Sequence, residues 1–184
     1  LFERLRRWAD DRIALLTLAP EMESALALVE HVVSTCSTVV SLGHHLADSE
    51  TVHRAADAGA RACTHVGNGI PEMIHRHRNP LWSVLAEDRL SGLIIADGFH
   101  LPLDMLRVCW RSKGARRFIV TSDMTHLAGM PSGDYRFGDI EVILEKNGHL
   151  HKKDSSLLAG SASDMLDCMN VMASLNELNE TELH

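Results

Sequence analysis

Four short runs of β-branched and apolar residues each end on a polar side chain able to do chemistry, and this constrains the fold more than any other feature. Thr38–Leu42 leads into Gly43-His44, and Arg61–Thr64 leads into His65-Val66-Gly67-Asn68. Ser91–Ala96 leads into Asp97-Gly98-Phe99-His100, and Arg117–Thr121 into Ser122-Asp123. Between them lie stretches with helical spacing, such as Ala25, Leu28, Val29 and Val32, so strands and helices alternate. Alternation of this kind builds a parallel sheet, and functional groups at successive strand ends are how the mouth of a (β/α)8 barrel reads. The expected fold class is therefore α/β, a partial (β/α)8 TIM barrel.

The strands are expected at 13–18, 38–42, 61–65, 91–96 and 117–122. Helices are expected over Glu23–Val33, Ser49–Ala58, Leu81–Asp88 and Pro102–Lys113, with Gly59 and Gly114 as C-terminal stops. The stretch from Asn68 to Pro80 has no steady period and is rich in His and Arg, which predicts a long functional loop. After residue 130 the rhythm changes. Asp134–Phe137, Glu141–Leu144 and His149–His151, separated by Gly138-Asp139 and Asn147-Gly148, predict a β-hairpin or meander, the Asn-Gly pair being read as a two-residue turn. Ser161–Leu175 closes as a helix with Met165, Met169 and Met172 on one face, expected to be core. The expected division is a barrel portion over 1–130, the meander and a closing segment over 131–160, and the helix and tail over 161–184.

Composition excludes several classes. The formal charge is −7, which disfavours general nucleic-acid or anionic-membrane binding, since both need clustered cations. The cluster Arg111, Lys113, Arg116 and Arg117 is expected as the solvated end of a helix. No stretch approaches the roughly 18 apolar residues of a membrane span, and no signal-peptide core opens the chain. The four cysteines, Cys36, Cys63, Cys109 and Cys168, form no CxxC pair, and are expected as buried thiols in a reducing cytosol.

His44 and His65 lie twenty-one residues apart, and imidazoles at neighbouring strand ends can share a divalent ion through neutral ring nitrogens. Taken alone, each is equally a hydrogen-bonded histidine closing a strand. Asp123 is either a proton-transfer group or an N-cap or turn residue. Asp97, before Gly98, is expected to shape the turn that carries His100.

Six stretches in order, Leu16-Thr17-Leu18-Ala19-Pro20-Glu21, Gly43-His44, Thr64-His65-Val66-Gly67-Asn68-Gly69, Ile95-Ala96-Asp97-Gly98-Phe99-His100, Thr121-Ser122-Asp123 and Leu158-Ala159-Gly160-Ser161, resemble the N-acetylglucosamine-6-phosphate deacetylase family of the amidohydrolase superfamily. The resemblance runs from about Leu16 to Asn170 and covers the later, C-terminal part of such an enzyme. It implies metal-dependent hydrolysis of the acetamide of N-acetylglucosamine 6-phosphate; the alternatives are another N-acyl amino sugar, such as N-acetylgalactosamine 6-phosphate, as substrate, or a catalytically inactive sugar-phosphate-binding remnant. His44 and His65 match metal ligands, zinc above all, with iron, cobalt or manganese as other choices. Asp123 matches the catalytic acid–base. His100 matches a histidine that contacts the substrate and helps polarise the carbonyl, and Asn68, Gly69 and the backbone of Leu158, Ala159 and Gly160 match further substrate contacts. The family's phosphate-binding arginine falls at Arg78, although a loop about two residues longer lets Arg76 or His77 take that place. The family's usual Asn-Ala-Met is Asn68-Gly69-Ile70 in this chain. Its third ligand, a glutamate on an earlier strand, has no match here. A complete barrel takes about 250 residues, so a chain of 184 that opens on Leu1 is expected to be a fragment, inactive alone, with an exposed sheet edge. The family further implies a cytoplasmic enzyme, a dimer in its full-length form.

Overall fold

A computed structural model describes residues 1–182; the end of the tail expected to reach 184 lies outside the described residues. The chain forms two compact units, residues 1–93 with 112–118, and residues 94–111 with 119–184.

The first unit opens with helix α1 (Phe2–Trp8), followed by β1 (Leu15–Leu18), α2 (Ala25–Thr35), β2 (Val39–Leu42), α3 (Ser49–Ala58), the two-residue β3 (Ala62–Cys63) and α4 (Pro80–Ala86). Strands β4 (Ser91–Ile95) and β5 (Phe118–Thr121) enter it by their first residues. The sheet order is β1-β2-β3-β4-β5. The β1–β2, β2–β3 and β3–β4 pairs are all parallel, and the Gly92 N–H donates to the Arg117 carbonyl. All five strands fall within the predicted spans, because apolar runs bounded by Gly, Pro and polar residues carry the strand signal.

The two ends of α3 agree with the sequence. Asp48 accepts from the Thr51 N–H at the start of α3, as an N-cap carboxylate should. Gly59 ends α3 at φ 116°, a left-handed conformation that glycine adopts without a Cβ penalty. A Cβ there would also lie 2.9 Å from the Val33 methyls, so the glycine lets α3 end close against α2. Ala25, Val29 and Val32 of α2 are buried, as their spacing predicts.

The expectation for the cationic cluster fails at one residue. Lys113, assigned to a solvated cationic cluster, is 2% exposed. Its ammonium donates to the carbonyls of Val84, Glu87 and Leu90, the latter two at 2.9 Å. Those carbonyls belong to the last turn of α4 and the segment after it, where backbone acceptors lose their helical partners. A cation suits that pole. Burial pushes the Lys113 pKa down, and the neighbouring charge of Arg117 adds to the effect.

The second unit holds the ends of β4 and β5, most of helix α5 (Leu103–Lys113), the strands β6 (Gly133–Phe137), β7 (Ile140–Leu144) and β8 (Leu150–Lys152), helix α6 (Met165–Ser174) and a 3-10 turn over Glu180–Glu182. Strands β6, β7 and β8 form an antiparallel sheet. Leu127, Val142, Leu144, Leu150 and Ala159 form its core, with Tyr135 and Phe137 packed against them. Gly138-Asp139 is a two-residue hairpin, since Phe137 pairs with Ile140. The second connection is three residues, Lys146 to Gly148, because the Glu145 N–H reaches the His149 carbonyl and Gly148 takes φ 89°. A glycine in the left-handed region is what such a three-residue loop needs.

Helix α6 starts at Met165 and not at Ser161, because Asp164 and Asp167 form a capping box that sets its first turn. The methionine stripe is only partly core. Met172 is fully buried and Met165 is 45% exposed, the buried face being Cys168, Met172 and Leu175. Cys63, Cys109 and Cys168 are buried and Cys36 is half-buried; all four are free thiols.

Removing the Lys113 cation while keeping its bulk should leave three inward carbonyls without their donor. Lys113→Met is expected to lower unfolding stability by on the order of 3 kcal/mol, read from the urea midpoint. A midpoint equal to the parent's would show that the ammonium contributes nothing.

Candidate functional site

In the β2–β3 pair Ser41 stands opposite Ala62 and Leu42 opposite Cys63. The register offset is twenty-one residues, so the chain two positions beyond each strand end brings His44 beside His65. Their Nε2 atoms are 2.9 Å apart, with ring centroids at 4.5 Å and planes nearly perpendicular. Both residues have left-handed backbones, at φ 51° and φ 33°. Non-glycine residues rarely adopt this region, and such strain persists only where the surroundings enforce it.

The neighbours enforce it here. Gly43 leaves no room for a side chain, as a Cβ would lie 2.6 Å from Thr17 Cγ2 and 3.0 Å from Thr64 Cβ. Thr64 Oγ1 meets the hydroxyls of Thr17 at 2.8 Å and Ser41 at 2.7 Å, a chain of hydrogen bonds across three strand ends. Gly69 lies against His44, where a Cβ would come within 2.7 Å of Nδ1. The alanine that the sequence lacks at this position would therefore have to move the ring.

Beside the pair is a small hollow lined by His44, His45, Cys63, Thr64, Asn68 and Leu81, among others. Burial pushes the His45 pKa down, opposed by the charge of Glu21, and drives the Cys63 thiol up to about 12. His45 Nδ1 and Asn68 Nδ2 are buried without a hydrogen-bond partner among the described residues. Among the described residues no cluster of three or more His, Cys, Asp or Glu side chains converges to hold a metal. The two facing imidazole nitrogens supply two donors of the kind that borderline divalent ions take.

Arg78 does not line this hollow. It lies with His77 on a groove bordered by Asp48, Glu50 and Trp82. The loop itself is well tied: the Arg78 N–H donates to His75 Nδ1, and Trp82 Nε1 donates to the Arg76 carbonyl, both at 2.9 Å.

In the second unit Asp97 organises the remaining candidates. Its Oδ1 accepts from the N–H groups of Phe99 and His100, both at 2.9 Å. Its Oδ2 accepts from His100 Nδ1 at 2.7 Å and from the Ser161 hydroxyl at 2.9 Å. Burial raises the Asp97 pKa, but the hydrogen bonds from the His100 side chain and the two backbone donors outweigh it and hold it at about 2. Ser161 also forms a bridge with Met124, and its carbonyl accepts from the Thr125 N–H. Asp123, exposed and at φ 47°, is thereby carried on a loop pinned to Ser161. Leu158 bridges His151, and the Ala159 N–H donates to the Leu150 carbonyl. Gly160 takes φ 94° where a Cβ would lie 2.5 Å from Thr125 Cγ2. His100, the Asp123 loop and the 158–160 segment thus share one hydrogen-bonded frame. Ser161 and the linking role of Asp97 were not read as site features from the sequence, although both stand inside the quoted motifs.

Known proteins resemble the chain along its whole length. It is 30% identical over 183 residues to the N-acetylglucosamine-6-phosphate deacetylase of Bacillus subtilis, covering 100% of this chain and 46% of that protein. Over 168 residues it is 33% identical to the N-acetylgalactosamine-6-phosphate deacetylase of Shewanella sp., covering 91% of this chain and 41% of that one. The crystal structure of N-acetylglucosamine-6-phosphate deacetylase from Thermotoga maritima matches with a TM-score of 0.84 at 28% identity, over 98% of this chain and 49% of that one. No family model matches. In class, then, the chain is a relative of the acetylhexosamine-6-phosphate deacetylases, and it spans less than half the length of these relatives. The particular resemblance read from the six motifs, to N-acetylglucosamine-6-phosphate deacetylase, holds across the chain.

The Asp97 carboxylate, low in the folded chain and near 3.9 when unfolded, stabilises the fold above about pH 4. That contribution is lost as the pH falls through about 2, and at neutral pH it is on the order of 2 kcal/mol. The stability gap between the parent and Asp97→Asn should therefore narrow steadily from about pH 4 to pH 2, measured by denaturant unfolding. A gap independent of pH would contradict the depressed value.

Proposed function

We propose that the chain is the later portion of a (β/α)8 barrel enzyme of the amidohydrolase type, with residues 1–130 as barrel, 131–160 as the closing meander and 161–184 as the terminal helix and tail. It would act in hydrolysis of the acetamide of N-acetylglucosamine 6-phosphate. The observation that carries this reading is the pair of strained histidines whose Nε2 atoms face each other at the ends of adjacent parallel strands. His44 and His65 would hold a divalent ion, zinc fitting two imidazoles best, with iron, cobalt or manganese as alternatives. When bound, that ion supplies Lewis acidity at the amide carbonyl.

Asp123 takes a proton from the attacking water and delivers it to the departing nitrogen, so the C–N bond breaks to give acetate and the free amine. Asn68, Gly69, His100 and the backbone of Leu158–Gly160 orient the sugar phosphate. Arg78 grips the phosphate, its guanidinium fork suiting two oxygens. The Shewanella relative supports a galactosamine substrate as the second reading. A dimeric, cytoplasmic enzyme is the setting we infer. No described helix is long and apolar enough to cross a membrane.

With two imidazole ligands brought together among the described residues, the 184-residue chain should bind zinc weakly and release no acetate by itself. In the enzyme completed by the strands that the relatives possess, Asp123→Asn should keep zinc and lower acetate release by roughly 10²–10⁴. His65→Ala should lose zinc. Metal content and acetate release from both N-acetylhexosamine 6-phosphates test this, and an Asp123→Asn enzyme as active as its parent would refute the role.

A further inference from the structure

The bonding of Asp97 limits what His100 can do. Four groups meet its carboxylate: two backbone N–H groups, the Ser161 hydroxyl and, at 2.7 Å, His100 Nδ1. An ionised carboxylate only accepts. Nδ1 of His100 must therefore carry a proton whatever the charge of the ring. The other nitrogen, Nε2, has no hydrogen bond to a described residue.

The ring is also fixed in place. Its side chain is 8% exposed and that of Asp97 only 1%. Phe99, whose N–H is held by the same carboxylate, stacks on His149 with centroids 5.1 Å apart. Ser161 completes the clamp, since its hydroxyl donates to Asp97 while accepting from the Ser163 N–H at 3.2 Å.

We infer that Asp97 is a positioning residue that locks neutral His100 as its Nδ1–H tautomer and presents Nε2 as a lone pair, so that His100 accepts a hydrogen bond from a hydroxyl of the sugar. This assigns the hydroxyl-reading function to one atom and rests, for the identity of the ligand, on the deacetylase reading above. It also changes the role that the family resemblance implies. A carbonyl needs a donor, and Nε2 becomes one only when the ring is charged. Neutral His100 reads the substrate's hydroxyl and leaves polarisation of the amide to other groups.

The tautomer can be observed without catalysis. In the 184-residue chain labelled with ¹⁵N at histidine, two-bond ring correlations at a pH where His100 is neutral should give a protonated Nδ1 and an unprotonated Nε2. Asp97→Asn, whose amide can donate to Nδ1, should shift His100 toward the Nε2–H tautomer. Ser161→Ala, which removes one of the four bonds and keeps the carboxylate, should leave the Nδ1–H form intact. An Nε2–H tautomer in the parent, or an unchanged pattern in a folded Asp97→Asn, would overturn the inference. If Asp97→Asn does not fold, the parent and Ser161→Ala spectra still decide it, the parent by its tautomer and the serine variant by retaining it. For the ligand, N-acetylglucosamine 6-phosphate and its 3-deoxy and 4-deoxy analogues are titrated into the completed enzyme carrying Asp123→Asn. Loss of the His100 Nε2 shift with one deoxy analogue is expected, and equal shifts with all three would overturn the hydroxyl assignment. Failure of the deacetylase reading would appear separately, as no binding of any of the three.

Discussion

The parallel register between β2 and β3 is the constraint from which the candidate metal pair follows. A parallel strand must return through a connection of a dozen or more residues, here α3. With Leu42 opposite Cys63, the offset between the two strands equals the sequence distance between the two histidines. A slip by one residue would turn alternate side chains to the other face and separate the imidazoles. The hydroxyl chain of Thr17, Thr64 and Ser41 ties the same three strand ends together. Register and polar bonding thus define the same geometry twice.

Three of the seven described non-glycine residues with left-handed backbones stand where chemistry is expected. His44, His65 and Asp123 all take left-handed backbones, although none is a glycine. Gly43 and Gly69 pack closely around His44, the Thr64 hydroxyl bonds Thr17 and Ser41 beside His65, and the loop of Asp123 is pinned by backbone contacts to Ser161. A backbone held away from its preferred region moves little when a ligand arrives, so part of the ordering entropy is met on folding and not on binding.

What the sequence made legible was what has a period or a punctuation mark. The apolar runs, the Gly59 and Gly114 stops and the hairpin at Gly138-Asp139 were all read from local residues, because their conformations are set locally. The twenty-one-residue spacing was legible as well, since equal spacing beyond paired strand ends is a one-dimensional trace of register. Contacts set by the packing of distant segments were not. Lys113 looks like a surface cation beside Arg116 and Arg117, and only the approach of the α4 end shows why it lies inside. Asp97 reads locally as a turn former, but its bond to Ser161 joins residues 64 positions apart, and no local pattern encodes that. Met165 departs from its expectation because it is the first residue of α6 and 45% exposed, while the buried face of that helix runs through Cys168, Met172 and Leu175.

Lys113 also gives the chain an internal reporter. Exposed lysines react with acylating reagents at all times, whereas a caged ammonium can do so only when the end of α4 swings away from it. The rate at which that one amine is labelled therefore measures how often this part of the chain opens. Mass spectrometry of a single peptide would then follow breathing of the first unit with no dye, no added tag and no change of sequence.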